Sequence, residues 1–341
     1  MLKYLIIFSG ALISSMLCIF LLARISLKYK ILQARGISLV GGLGMGVAFV
    51  FFSCLGVCVF GITGTKIFAV LGVSLLMLFF GMVDDLKELS ILQKFLAQSL
   101  CAALLISLGV MTDIMYLGFW GNAVVTFFWI LGITNAFNLL DIMDGLAAGA
   151  ALIVSSALLA IAFLNPDLNM QILSLTLCAV TFGFLVFNLP PASIYLGNSG
   201  SHFLGFMICA IALVLRYASK DNAIALLSPI IILWLPITDT ILLIIFRIMK
   251  KKMPFKKSND HIAFRIRLSA ASPIKTILVM FLLCFIFSFA GVILTKVSNF
   301  CAAGIIIAIF LFSVILFWKL IKIDTRNLSA SLTSCRLHNY F

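Results

Sequence analysis

An all-α bundle that crosses a bilayer about eleven times is the fold class the sequence predicts, and three observations carry that prediction. Apolar residues make up 64% of the 341 positions and charged ones only 10%, with a mean hydropathy of +1.25. Runs of about 20 uncharged residues, enough to cross a hydrocarbon core ~30 Å thick, recur along the whole chain. Lysine and arginine concentrate in alternate loops between these runs. A backbone in lipid must satisfy its own hydrogen bonds, so the runs read as helices, and the dyad alternation of a membrane β-barrel is absent.

The runs place spans at about 2–23, 43–62, 66–83, 91–110, 123–140, 145–164, 171–189, 200–217, 224–247, 274–295 and 300–321. The first is too long for a secretory leader and lacks a small-residue cleavage site, so it reads as a helix. Almost no loop separates 123–140 from 145–164, which makes the Asn- and Asp-bearing stretch between them a tight re-entry. No repeat or linker divides the chain. It reads as one transmembrane domain over 1–322, followed by a polar cytoplasmic tail over 323–341.

Orientation follows from the basic residues. Loops after the odd-numbered spans, with the C-terminus, hold nineteen of the 24 lysines and arginines. The opposite side holds five: Lys3, Lys66, Arg216, Lys220 and Lys296. The positive-inside rule then sets the N-terminus outside and the C-terminus in the cytoplasm. The net charge of +13 expresses this topology and contact with anionic lipid, not nucleic acid. The nine cysteines form no CxxC pair and have no histidine at metal spacing, so no function is assigned to them.

The acidic residues carry more. Eight of the eleven, Asp84, Asp85, Glu88, Asp141, Asp144, Asp239, Asp260 and Asp324, fall at cytoplasmic ends, whereas Asp113, Asp167 and Asp221 read as solvated residues of outer loops. Charge near a bilayer is costly, so convergence of carboxylates on one face signals function. In GMVDDLKELSILQKFLAQ, Asp84 and Asp85 end one helix and Lys94 opens the next. Two carboxylates at a helix C-terminus oppose its dipole and call for a cation, either Lys94 or a metal ion.

In NAFNLLDIMDGLAAG, Asn135, Asn138, Asp141 and Asp144 recur every third residue and are neighbours on a helix surface. Their oxygens are hard ligands suited to Mg²⁺, and the blander alternative is a polar clasp between helices. In YLGNSGSHFLG, Gly197, Ser199, Gly200 and Ser201 form a turn before a helix, where free N–H groups suit phosphate. His202 reads there as a packed histidine rather than a ligand. In the basic loop over 247–275, Asp260, His261 and Arg265 cluster, and arginine can take phosphate bidentately. A hard-metal site, phosphate-binding backbone and cations at a membrane surface are the parts of phosphoryl transfer to or from a lipid.

At these residues the sequence resembles the polyprenyl-phosphate N-acetylhexosamine-1-phosphate transferases, glycosyltransferase family 4. That family includes the enzymes that start O-antigen and teichoic-acid assembly and, more distantly, phospho-N-acetylmuramoyl-pentapeptide transferase. The resemblance runs in order from about Arg35 to Leu268. It covers Gly41–Gly42, the DD with its later lysine, the NxxNxxDxxDGLA block, the GxxGSxxLG loop, PITDT at Asp239 and the His loop.

The resemblance implies transfer of an N-acetylhexosamine 1-phosphate, by default N-acetylglucosamine 1-phosphate, from a UDP-N-acetylhexosamine to undecaprenyl phosphate. UMP is released at the cytoplasmic face of a bacterial inner membrane, where cell-envelope glycans such as lipopolysaccharide are begun. It implies Mg²⁺, with Mn²⁺ as a substitute, and allows a homodimer. Carried over by position, Asp84 and Asp85 are the catalytic carboxylates and Lys94 holds phosphate. Asn138 and Asn198 are the metal ligands, and Asp141 and Asp144 contact the nucleotide. Ser199 and Gly200 belong to the substrate-binding loop, and His261 and Arg265 hold the diphosphate or sugar. Direct attack by the lipid phosphate is the preferred mechanism, with a covalent aspartyl intermediate as the alternative.

Three departures from the family pattern bear on competence. Asn198 stands where the family has an aspartate metal ligand, Phe264 stands where it has a second histidine, and no proline precedes Gly41. Asparagine keeps a carbonyl oxygen but loses the negative charge that draws an ion in. A second reading is therefore a relative that binds polyprenyl phosphate or a partner protein without turnover. The retained Asp84, Asp85, Lys94, Asn138, Asp141 and Asp144 argue against it. A secondary transporter is a weaker reading, because its site would lie near the midplane rather than at one surface.

Overall fold

The computed structural model describes residues 1–218, 222–251, 260–270 and 272–323. The expected tail from Asp324 onward lies outside these residues, as do Lys220, Asp221, Lys252, Lys256 and Lys257. The described residues are helical nearly throughout. Its helices are α1 (Leu2–Tyr29), α2 (Gly41–Phe60), α3 (Thr65–Lys87), α4 (Ile91–Ser107), α5 (Gly118–Leu140), α6 (Leu146–Leu164) and α7 (Leu168–Asn188), then α8 (Gly197–Val214), α9 (Ser228–Ile232), α10 (Trp234–Met249), α11 (Ile262–Ala270), α12 (Pro273–Leu294) and α13 (Asn299–Ile321). A two-residue hairpin, β1 (Gln33–Ala34) and β2 (Ile37–Ser38), follows α1.

Every predicted span falls on a helix or a helix pair, but not all cross alike. Among the described residues, nine helices are long and apolar enough to cross a bilayer unaided. The span expected at 91–110 is α4, whose 17 residues rise only about 26 Å. The span expected at 224–247 is broken. A 3-10 turn over Ala223–Leu227 and α9 meet α10 at a bend of 69°. Pro236 explains the break, since it has no N–H for the carbonyl of Ile232 and its ring crowds that carbonyl. The hydroxyl of Ser288 donates to Ile232 O instead, at 3.2 Å.

Packing divides the chain into two compact units, Met1–Arg216 and Tyr217–Phe341, where the sequence offers no linker and reads as one domain. A boundary drawn by contacts leaves no mark in a chain that is apolar on both sides of it. In the first unit α8 is the central helix, packed on α2, α3, α5, α6 and α7. Its start is tied to the hairpin. Tyr195 N–H donates to Ser38 O at 2.8 Å, and Gly41 and Gly42 N–H donate to Tyr195 O and Leu196 O at 3.1 and 2.9 Å. In the second unit Trp234 stacks on Phe287 with ring centres 3.8 Å apart, and Asn222 Nδ2 donates to Leu294 O and Val297 O, each at 2.8 Å.

Candidate active site

Asp84 and Asp85 occupy the last turn of α3 and part ways. Asp84 is 1% exposed, with Oδ2 2.6 Å from Lys94 Nζ, and its Oδ1 accepts the Leu89 N–H at 2.8 Å. The turn between α3 and α4 is built to allow this. Glu88 adopts a left-handed conformation, and a reciprocal capping box between Ser90 and Gln93 starts α4, which sets Lys94 in its first turn. Lys94 is thus the cation the sequence asks for, and it serves Asp84.

Asp85 turns toward α8 instead. Its two oxygens accept the N–H groups of Asn198 and Ser199 at 2.6 and 2.9 Å. A carboxylate at a helix N-terminus meets both free donors and a favourable dipole. The donors that the sequence analysis offers to a substrate phosphate are therefore occupied by Asp85. Ser199 and Gly200, expected in substrate binding, are buried and serve this junction. Gly197 sits at φ +74°, where a Cβ would fall 2.8 Å from Asp85 Oδ2 and 2.6 Å from Leu39 O. A Cβ on Gly42 would fall 2.1 Å from Gly200 N, which is why the Gly–Gly pair stands at the start of α2.

The four polar residues spaced by three divide their work. Each step of three turns about 300° around a helix, so successive members lag by about 60° and face different neighbours. Asn135 exchanges amide hydrogen bonds with Gln98 of α4, at 2.6 and 3.2 Å. It is the polar clasp of the blander reading. Asn138 Nδ2 donates to Asn198 Oδ1 at 3.1 Å and to Ser201 Oγ at 2.9 Å. Asp141 and Asp144 lie past the end of α5, in the turn before α6. Asp144 Oδ2 accepts the Ala192 N–H at 3.0 Å, and Gly145 N–H donates to Asn188 Oδ1 at 2.9 Å.

Burial pushes the Asp141 carboxyl up to about 8, and the nearby charges of Asp85 and Asp144 add to the effect. Asp144 is raised too, by burial, with the Ala192 N–H pulling the other way. Oxygen is the donor type that gathers here, from Asp85, Asn138, Asp141 and Asn198. Among the described residues no three carboxylate, imidazole or thiol side chains form a ready metal cage. A cavity of about 490 Å³ lined by Asn165, Pro166, Asp167, Leu168 and Arg216 lies at the opposite ends of these helices.

The second unit has its own polar cluster. His261 Nδ1 lies 2.7 Å from Asp239 Oδ2, while Asp239 Oδ1 accepts the Ile262 N–H at 2.7 Å. Both residues are buried, and the ring is fixed by the carboxylate. Phe264, where the family has a second histidine, is fully buried with its ring edge-on to His261, centres 6.0 Å apart. Arg265 has an employment the sequence analysis does not foresee. Its Nη1 donates to Leu320 O and Ile323 O, each at 2.8 Å, at the C-terminus of α13, and its Nη2 donates to Asp260 Oδ1 at 3.2 Å. The guanidinium also lies 3.7 Å from the Phe246 ring centre and is 2% exposed. That is the geometry of a helix clasp. Lys250 pairs with the same Asp260.

Two residues of these clusters give little sign of their work in the sequence: Gln98 and Asn188. Gln98 lies one helical turn after Lys94 in an apolar run, which is a legible hint. Asn188 carries none, because its partners Gly145 and Ile194 are set by the chain path.

A family model described as "Glycosyl transferase family 4" matches residues 67–216, from α3 to the last residue of the first unit. A probable undecaprenyl-phosphate N-acetylglucosaminyl 1-phosphate transferase of Bacillus subtilis is 34% identical over 282 residues, covering 80% of this chain and 77% of its own. The decaprenyl-phosphate N-acetylglucosaminephosphotransferase of Mycobacterium leprae is 28% identical over 234 residues, 59% of this chain and 58% of that protein. A phospho-N-acetylmuramoyl-pentapeptide-transferase of Limosilactobacillus fermentum is 35% identical over 131 residues, 37% of this chain and 41% of its own.

Proposed function

The chain belongs to glycosyl transferase family 4, among the polyprenyl-phosphate N-acetylhexosamine-1-phosphate transferases, and on that premise we propose the reaction it performs. N-acetylglucosamine 1-phosphate passes from UDP-N-acetylglucosamine to undecaprenyl phosphate, and UMP is released, at the cytoplasmic face of a bacterial inner membrane. One observation supports this reading above the others. Three blocks far apart in the sequence meet in the first unit: Asp85 of α3 holds the N–H groups of Asn198 and Ser199, and Asn138 of α5 bonds Asn198 and Ser201. The lysine and arginine asymmetry supports the orientation.

The chemistry follows from the two carboxylates. An oxygen of the lipid phosphate attacks the phosphorus that bears the sugar, and the bond from that phosphorus to the UMP oxygen breaks with its electron pair leaving on UMP. Asp84 is buried and already paired with Lys94, so it anchors that lysine. Asp85 is half-buried, and among the described residues no cationic side chain pairs with it, so it takes the proton from the lipid phosphate. Lys94, with 27% of its side chain exposed, steadies phosphate charge. The sparse oxygen set of Asn138, Asn198 and Asp141 suits Mg²⁺, which keeps waters and takes further ligands from substrate phosphates. When bound, such an ion neutralises charge on the diphosphate oxygens.

Purified protein given undecaprenyl phosphate and a panel of UDP-N-acetylhexosamines, across a Mg²⁺ titration, is expected to release UMP with the N-acetylglucosamine donor. Silence with every donor, and from an Asn198→Asp variant as well, would move the chain to the binding reading. Asp141 adds a pH signature. Its raised value means the folded protein prefers the protonated acid, so the stability tied to it is full below the ordinary carboxylate range and is lost as pH rises toward about 8. Cation-free protein should therefore melt at a lower temperature at pH 8.5 than at pH 6, and saturating Mg²⁺ should shrink that difference. An equal slope with and without the ion would exclude Asp141 from the ion's surroundings.

A further inference from the structure

α4 carries Lys94, yet little seats that helix against the bundle. Of its side chains only Gln98, Cys101, Ala102 and Leu105 are buried, while Ile91, Leu92, Phe95, Leu96 and Leu100 are exposed. Lipid tails are as apolar as these side chains, so no hydrophobic force presses α4 onto α5. Cysteine and alanine at the contact let the helices approach closely, but they form a smooth face along which one helix can slide or roll.

A directional bond removes that freedom. Gln98 Nε2 donates to Asn135 Oδ1 at 3.2 Å, and Asn135 Nδ2 donates back to Gln98 Oε1 at 2.6 Å. Asn135 Nδ2 also donates to Leu131 O at 2.8 Å, one turn back on α5, which fixes its own rotamer. Among the described residues, the only other side-chain bond from α4 to another helix is Lys94 to Asp84 of α3. Gln98 lies about 6 Å beyond Lys94 along α4, and Asn135 about 4.5 Å before Asn138 along α5. The amide pair thus sits one layer deeper in the membrane than the lysine that steadies phosphate and the asparagine expected at the ion. We infer that Gln98 and Asn135 are positioning residues, whose paired amides lock the register of α4 on α5 and so set Lys94 against the Asn138 side of the site. Asp84 holds the tip of Lys94, and the amide pair holds the helix it springs from. The inference rests on the proposed transferase reaction, in which neither amide makes or breaks a bond.

Two double variants of the purified full chain test this. Gln98→Met with Asn135→Leu replaces both amides by apolar groups of like shape, so neither partner is stranded and stability is nearly kept. Its melting temperature should stay close to that of wild type, whereas UMP release should fall about tenfold to hundredfold, the cost of a shift of about 1 Å at a reacting group. The exchanged pair, Gln98→Asn with Asn135→Gln, restores two facing amides and should return turnover to within about threefold of wild type. A merely structural clasp predicts full turnover in any variant that folds. Full turnover in the apolar pair, or an exchanged pair no better than the apolar one, would overturn the inference. Where the apolar pair does not fold, Gln98→Leu with Asn135→Leu takes its place.

A second measurement needs no substrate. Amide hydrogen exchange over α4 should be faster in the apolar pair than in wild type and return toward the wild-type rate in the exchanged pair, with α8 unaffected. Equal exchange of α4 in all three proteins would show that the amides do not hold the helix. If wild-type protein itself releases no UMP, the proposed reaction is what fails, and the exchange rates still decide whether the amide pair locks α4.

Discussion

Asp85→Asn is expected to lower UMP release by at least about 10²-fold, the scale of a lost general base, in protein that still folds. The amide keeps one oxygen for the N–H groups of Asn198 and Ser199, which now share the two carboxylate oxygens at 2.6 and 2.9 Å. It can take no proton, and its NH₂ meets a second N–H donor, at a stability cost of about 1–3 kcal/mol. Turnover and melting temperature measured on one preparation separate the two effects. Asp85→Ala should be worse on both counts, since it also frees the start of α8. Turnover within threefold of wild type in Asp85→Asn would remove Asp85 from the chemistry and leave it as a helix anchor.

Gly42→Ala should damage both fold and turnover, although it adds one methyl group far from either carboxylate in sequence. The new Cβ would lie 2.1 Å from Gly200 N and 2.2 Å from Gly200 Cα. These are backbone atoms, so no rotamer change relieves the clash and α2 must move from α8. Overpacking of this kind costs about 1–3 kcal/mol or more. The displaced segment carries the N–H groups that hold Asp85, and a misplacement of about 1 Å at a reacting centre costs on the order of 10²-fold. Gly72→Ala is the control: it lies in α3 with nothing within 4 Å of its Cβ position, so it should be neutral or slightly stabilising. Equal behaviour of the two variants would show that the α2–α8 contact does not set the site.

Much of the fold is legible without coordinates. Span positions follow from apolar run length, because the bilayer fixes how many residues a crossing needs. The break at Leu233 was less legible, although Pro236 is plain in the sequence. A break is tolerated where another group takes the carbonyl that proline orphans, and here Ser288 does so from 56 residues away. Lys94 as partner of Asp84 was readable, since only a short turn separates them. The clasp that Arg265 makes is not legible in the sequence, because its side chain looks the same whether it meets phosphate or the carbonyls of Leu320 and Ile323.

The class of solvent, the helices and the residue types that phosphoryl transfer requires are legible in the chain, since these depend on composition and local spacing. Which partner each polar group takes is settled by the packing of helices. It gave the α8 donors to Asp85 rather than to a ligand, and gave Asn135 to Gln98. The physical reason is that a buried polar group is satisfied by whatever the packing brings within about 3 Å, and residues distant in sequence supply most of those partners.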